Sequence, residues 1–120
     1  MTVVLDASAL LAWFTDEPGA EVVEQYHGTV CSTANWAEVV QKLNSYGVST
    51  SDVHSSVSLL GTLLEPVTVT DAEHAAKLWQ QRPHLSLGDR LCLALAHRLQ
   101  APVLTADQAW GEDPPVIQIR

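Results

Sequence analysis

Four acidic side chains recur at comparable points of the chain. Asp6 directly follows the apolar run Val3-Val4-Leu5, and Glu38 lies in the first turns of the segment after Thr29-Val30-Cys31. Asp89 opens the apolar stretch from Leu87 to Leu99, and Asp107 follows Val103-Leu104. Carboxylates gathered within ~5 Å repel one another and raise one another's pKa unless a cation lies among them. The donors are all oxygens, with no clustered cysteines or histidines, which selects a hard cation, Mg2+ or Mn2+, that keeps several of its waters. Each acid also has an ordinary reading as a helix cap. Ser86-Leu87-Gly88-Asp89 fits a capping box, Asn35-Trp36-Ala37-Glu38 has related spacing, and Asp6 and Asp107 stand where helices begin. Capping needs one acceptor per helix, and Ser8, Ser86 and Thr105 can supply it, so the expectation is that the carboxylates are surplus to capping.

The elements that must position these acids alternate along the chain. Val3-Val4-Leu5 predicts a strand and Ala9 to Phe14 a helix; Glu17-Pro18 predicts the start of a second helix, with Ala20, Val23 and Tyr26 on one face. After a strand at Thr29-Val30-Cys31, Trp36, Val39, Val40 and Leu43 recur at helical spacing until Gly47. Val53, Val57, Leu60 and Leu64 predict a further helix ended by Pro66, followed by a strand at Val67-Thr68-Val69. Ala72, Ala75, Ala76 and Trp79 form the next helical stripe, and Leu87 to Leu99, apolar nearly all round, predicts a helix buried on most sides. Val103-Leu104 and Val116-Ile117 predict the last two strands, with a short helical turn from Ala106 to Trp110. Such alternation implies the doubly wound α/β architecture, a parallel sheet covered on both faces, whose ligands bind beyond the carboxyl ends of the strands.

Composition narrows the function classes. At 120 residues the chain reads as one domain over 1–120, long enough for a core without disulfide or zinc staples. Cys31 and Cys92 are far apart and read as buried apolar residues. No apolar run approaches a membrane span and the start lacks the pattern of a secretion signal, so the expected location is the cytoplasm, with no membrane partner. The net charge of −8 argues against nonspecific binding to nucleic acid, which lysine and arginine drive.

The strings Val3-Val4-Leu5-Asp6-Ala7-Ser8-Ala9, Asn35-Trp36-Ala37-Glu38-Val39-Val40, Ser86-Leu87-Gly88-Asp89-Arg90-Leu91-Cys92 and Leu104-Thr105-Ala106-Asp107 resemble those of PIN-domain ribonucleases. More narrowly they resemble VapC toxins of bacterial toxin–antitoxin pairs. The resemblance runs from Val3 to Ile117, and none of the four acids is missing. It implies a three-layer α/β/α fold with a central parallel sheet of strand order 3-2-1-4-5. It further implies that Asp6, Glu38, Asp89 and Asp107 form the catalytic metal site for Mg2+ or Mn2+, with Ser8 and Thr105 as hydroxyl neighbours. The implied chemistry is metal-assisted hydrolysis of RNA phosphodiester bonds. The implied partners are an RNA substrate, a VapB-type antitoxin whose disordered arm places arginine against the acids, and a second copy of the chain in a homodimer within a toxin–antitoxin hetero-oligomer. The strand order puts Asp71 beside an edge strand, where Thr70-Asp71-Ala72-Glu73 reads as a capping box, so Asp71 and Glu73 stay outside the site.

Weaker signals carry bland readings. Lys42, four residues beyond Glu38, predicts an i,i+4 ion pair more readily than a phosphate contact. Trp36 and Trp79 fall on apolar stripes and read as core, and the five histidines are dispersed and receive no role. A phosphatase would need a second Asp where Ser8 stands, and a receiver domain would need a lysine late in the chain, where the last is Lys77. The remaining alternative is a non-catalytic PIN-like module acting with an antitoxin in transcriptional regulation.

Overall fold

A computed structural model describes residues 1–120. Strand β1 (Val3–Leu5) leads into α1 (Ala7–Phe14) and α2 (Ala20–Glu24). Strand β2 (Thr29–Ser32) is followed by α3 (Thr33–Ser45) and α4 (Thr50–Leu60), and β3 (Leu63–Glu65) by α5 (Val69–Gln81) and α6 (Leu87–Leu99). Strand β4 (Val103–Thr105), a 3₁₀ turn (Gln108–Trp110) and β5 (Val116–Gln118) complete the chain. All neighbouring strands pair in parallel, in the order β3-β2-β1-β4-β5. The expected sheet and its order are therefore present.

Side-chain alternation divides the core between the two faces of the sheet. Val3 and Leu5 pack with Leu10, Val39, Leu43, Val53 and Val57 of α1, α3 and α4. Val4, between them, packs on the other side with Cys92, Leu95 and Ala96 of α6. The central strands are buried from both directions, which is why β1 reads as three consecutive apolar residues. Helix α6 buries Cys92 to Ala96 without a break, as its nearly uniform apolar character requires. Both cysteines are buried and free. No helix is long and apolar enough to cross a membrane.

Four local expectations are corrected. The third strand is Leu63–Glu65, not Val67-Thr68-Val69: Gly61, in the left-handed conformation at φ +83°, ends α4 before the chain reaches Pro66, where the helix was expected to stop. Val69 instead begins α5, whose capping box uses Thr68 and Asp71, two residues earlier than the expected Thr70 and Glu73. Helix α2 starts at Ala20 behind Gly19, at φ +102°, instead of at Pro18. Trp79 is 57% exposed rather than core, because α5 buries the stripe through Asp71 and Ala75.

Candidate active site

Asp6 is the deepest of the four acids, with 2% of its surface exposed. Pairing of Leu5 with Leu104 sets the end of β1 beside the end of β4, so Asp6 meets Thr105. Thr105 Oγ1 donates to Asp6 Oδ2 at 2.5 Å, and Ser8 Oγ reaches both carboxylate oxygens at 2.8 and 2.9 Å. The backbone N–H of Ala9 donates to Asp6 Oδ1 at 2.8 Å, so Asp6 itself caps α1. The two hydroxyls also tie Asp6 to the segment that carries Asp107: Ser8 Oγ accepts from Ala106 N at 2.9 Å and Thr105 Oγ1 from Asp107 N at 3.0 Å.

Two of the other acids are likewise turned partly toward backbone. Asp107 accepts from Ala109 N at 2.9 Å and caps the 3₁₀ turn. Asp89 is the N3 member of the Ser86 capping box, accepting from Ser86 N at 3.3 Å. This corrects the expectation that the carboxylates are surplus to capping: Asp6 and Asp107 cap directly, Asp89 completes a capping box, and Ser8 and Thr105 serve Asp6 instead of capping. Helix α3 is capped by Ser32, which frees Asn35 and Glu38 for other contacts.

Charge interactions connect the acids through Asp89. Burial raises the Asp6 carboxyl to about 6, against hydrogen bonds from Thr105, Ala9 and Ser8, and the nearby Asp89 charge adds to the rise. Burial also raises Glu38, with Asp89 adding to it, and raises Asp89, with Asp107 adding to it. The four acids therefore share one field of uncompensated negative charge. No three of these side chains converge as a ready-made metal cage. The donor chemistry nonetheless fits a hard cation: oxygen ligands, raised carboxyl pKa values, and cysteines below whose thiols burial pushes up, Cys31 to about 12.

Two further residues shape the site and were not recognised from sequence. Asn35, fully buried, donates through Nδ2 to Glu38 Oε1 at 3.3 Å and to the Gly88 carbonyl at 3.1 Å. Both partners are acceptors, so the amide nitrogen must face them and the buried Oδ1 is left without a partner. Gly88 gives Glu38 room, because a Cβ there would overlap Glu38 Oε1. Asn35 continues the apolar stripe of Val39 and Leu43 one turn back, and a polar residue on that stripe was the available signal. Trp110, 3% exposed, is core, and its buried Nε1 has no partner at hydrogen-bond distance although it lies close enough to Asp89 to offset part of the rise there.

Other expectations fare unevenly. Lys42 makes no ion pair with Glu38; its Nζ lies 5.4 Å from the centre of the Tyr46 ring. Arg90 donates to the carbonyls of Ala75 at 2.8 Å and Leu85 at 3.4 Å, fastening α6 to α5. His74 and His97 come together, with ring centres 4.5 Å apart, on a cavity of about 570 Å³ at the amino ends of β4 and β5. That cavity is at the opposite end of the sheet from the acids. A smaller one, about 430 Å³, is lined by Glu38 with Leu11, Gln41, Lys42 and Ser45.

Comparison with known proteins agrees with this architecture. The family model of the PIN domain matches residues 3–112. No curated protein matches the chain in sequence. Among solved structures, a toxin–antitoxin complex from Klebsiella pneumoniae is similar at a TM-score of 0.82 and 20% identity, covering 98% of each chain. VapBC2 from Rickettsia felis, bound to a DNA fragment of its promoter, is similar at 0.69 and 14% identity, over 98% of this chain and 97% of that one. A sarcin–ricin-loop-cleaving VapC toxin from Mycobacterium tuberculosis is similar at 0.66 and 13% identity, over 87% of each chain.

Proposed function

The chain belongs to the PIN-domain family, and from that premise we propose that it is a metal-dependent endoribonuclease, the toxin of a toxin–antitoxin pair. The observation that carries this reading is Asp6: a buried carboxylate at the carboxyl end of the central strand, held by two hydroxyls and an amide, with its pKa raised to about 6 and no cation paired with it. Asp6 and Asp89 are the direct ligands of Mg2+ or Mn2+ in this reading, Asp107 completes the acidic wall, and Glu38, the most exposed, orients the attacking water. The bound cation would supply a water of lowered pKa and offset charge developing on the phosphate. Ser8 and Thr105 hold the Asp6 oxygens in one orientation, and the Asn35 amide does the same for Glu38.

The partner in this reading is a VapB-type antitoxin. Its support is the kinship in fold with chains solved as toxin–antitoxin complexes, together with an acidic cleft suited to an arginine-bearing arm. The assembly we propose is a homodimer within that complex.

The test is cleavage of a panel of bacterial RNAs by the purified protein in Mg2+, Mn2+ or EDTA, with Asp6→Asn and Asp89→Asn alongside. We expect metal-dependent cutting in the wild type that falls more than about 100-fold in both variants, beyond the loss usual for residues one step removed from a metal. Full activity in Asp6→Asn would refute the metal-site assignment. A folded wild type that binds metal and cuts no RNA would favour the non-catalytic regulatory module.

A further inference from the structure

An acidic protein that acts on RNA has to meet phosphate with whatever cations it has free, and this chain has six lysines and arginines in all. Arg98 is paired with Asp71 and Glu65, Arg120 with Glu17, and Arg90 is engaged by two backbone carbonyls. Lys42, Lys77 and Arg82 have no acidic partner. Arg82 lies on the cavity at the amino ends of β4 and β5, and Lys77 is on the exposed side of α5, away from α3. Lys42 alone shares a groove with a site acid.

That groove follows one face of α3. Glu38, Gln41, Lys42 and Ser45 line it at i, i+3, i+4 and i+7, with Leu11 of α1 as the opposing wall. Glu38 is its only acidic lining residue; beyond it the groove offers an amide, an ammonium and a hydroxyl. At 1.5 Å per residue, Lys42 stands roughly 6 Å and Tyr46 roughly 12 Å from Glu38 along the helix axis. Those steps of one helical turn are comparable to the spacing of successive phosphates on an extended strand. Tyr46 is 61% exposed, and the Lys42 ammonium rests against its ring, so a cation and an aromatic face are presented together. Charged groove and stackable ring are the two components with which proteins hold single-stranded nucleic acid.

We propose that single-stranded RNA runs along this groove, with Lys42 taking the phosphate next to the scissile one and Tyr46 stacking on a base beyond it. The inference rests on the ribonuclease reading and deepens it by naming the path of the strand. Lys42 is a substrate-binding residue in this account and takes no part in the chemical step.

The experiment is fluorescence anisotropy of a labelled single-stranded oligoribonucleotide in Mg2+, with every protein carrying Asp6→Asn to prevent cleavage. Lys42→Ala is expected to weaken binding about 10-fold and to lower the slope of log K against log salt by about 0.7, the contribution of one phosphate contact to a single strand. Tyr46→Leu is expected to weaken binding by roughly 10-fold with the salt slope unchanged. Lys42→Arg restores binding, and Lys77→Ala is indistinguishable from the reference. In the cleavage-competent background, Lys42→Ala raises KM and leaves kcat within about twofold, the mark of lost uniform binding. Both side chains are exposed, so thermal unfolding should not shift. A Lys42→Ala protein with the reference affinity and slope, or a Lys77→Ala protein equally impaired, overturns the path. A wild-type protein that cuts no RNA, together with an Asp6→Asn reference that binds none, overturns the ribonuclease reading and the path with it.

Discussion

Asp6 and Asp71 expose equally little surface, 2% and 3%, although Asp6 lies deeper in the fold, and each accepts a hydrogen bond at the start of a helix. Their surroundings are opposite in charge. Asp71 receives the Arg98 guanidinium through both oxygens, Nε at 2.9 Å and Nη2 at 3.1 Å. Burial pushes Asp71 up, but the Arg98 hydrogen bonds, the Thr68 amide and the Arg98 charge outweigh it and its pKa is lowered. Asp6 receives only neutral donors and is raised to about 6. The protein has therefore completed one buried carboxylate from its own chain and left the other without a cation. The difference distinguishes a joint between helices from the site proposed above to hold a metal.

The strongest way to break that contrast is Asp6→Asn. Beyond the loss of cleavage expected above, its folding stability should respond to pH in the reverse of the usual carboxylate manner. The folded protein holds the Asp6 proton more tightly than the unfolded chain, whose value is near 3.8, so the contribution of Asp6 to stability is present below that value and lost as pH rises through about 6. Urea unfolding at pH 4 and pH 7 in EDTA should show wild type losing on the order of 3 kcal/mol relative to Asp6→Asn. Parallel curves for the two proteins would contradict the raised pKa.

Asp71→Ala should do the opposite, costing about 2–3 kcal/mol of stability at neutral pH and leaving cleavage per folded molecule unchanged. The cost is at the low end for a broken buried pair because the Arg98 side chain is 29% exposed. Wild-type Asp71, with its lowered pKa, contributes stability above its unfolded value and loses it as pH falls. Thermal unfolding with an activity assay on the same samples separates the two aspartates.

Two smaller effects sharpen the comparison within the site. Asn35→Leu removes an amide whose Oδ1 is buried without a partner, so stability should hold or rise by up to about 1 kcal/mol while Mn2+-dependent cleavage falls about 10-fold. Gly88→Ala places a methyl where Glu38 Oε1 lies, and the flexible Glu38 side chain gives way. We expect a few-fold loss of cleavage with unchanged unfolding, and no further loss when it is added to Glu38→Ala.

The sequence made the fold legible wherever burial is two-sided. The runs at Val3, Thr29 and Val103 and the stretch from Leu87 to Leu99 announce central strands and a buried helix, because packing on both faces keeps them mostly apolar without alternation. The third strand escaped for the converse reason. It is an edge strand whose Leu63 is 68% exposed, and Leu60 and Leu64 mimic a helical repeat across it. The capping box was read at Thr70 and Glu73, whereas the chain uses Thr68 and Asp71, whose carboxylate also meets Arg98 from α6, a contact no local spacing shows. At the site, residue types singled out the four acids, but the Asn35 clamp on Gly88 and the Thr105 hydroxyl on Asp6 are contacts across 53 and 99 positions that no local pattern carries.

The central place of β1 also sets a timetable. Its partner β4 lies about a hundred residues later in the chain, with Val4 pairing Val103. Closing so long a loop is slow and entropically costly compared with local pairing. At a synthesis rate of about 5–20 residues per second, several seconds separate the appearance of Asp6 from that of Thr105 and Asp107. Throughout that interval the nascent chain has no carboxylate cluster, and a chain interrupted before β4 never acquires one. A fold that pairs β1 with β4 brings Asp6 to Thr105 and Asp107 only after β4 has been made.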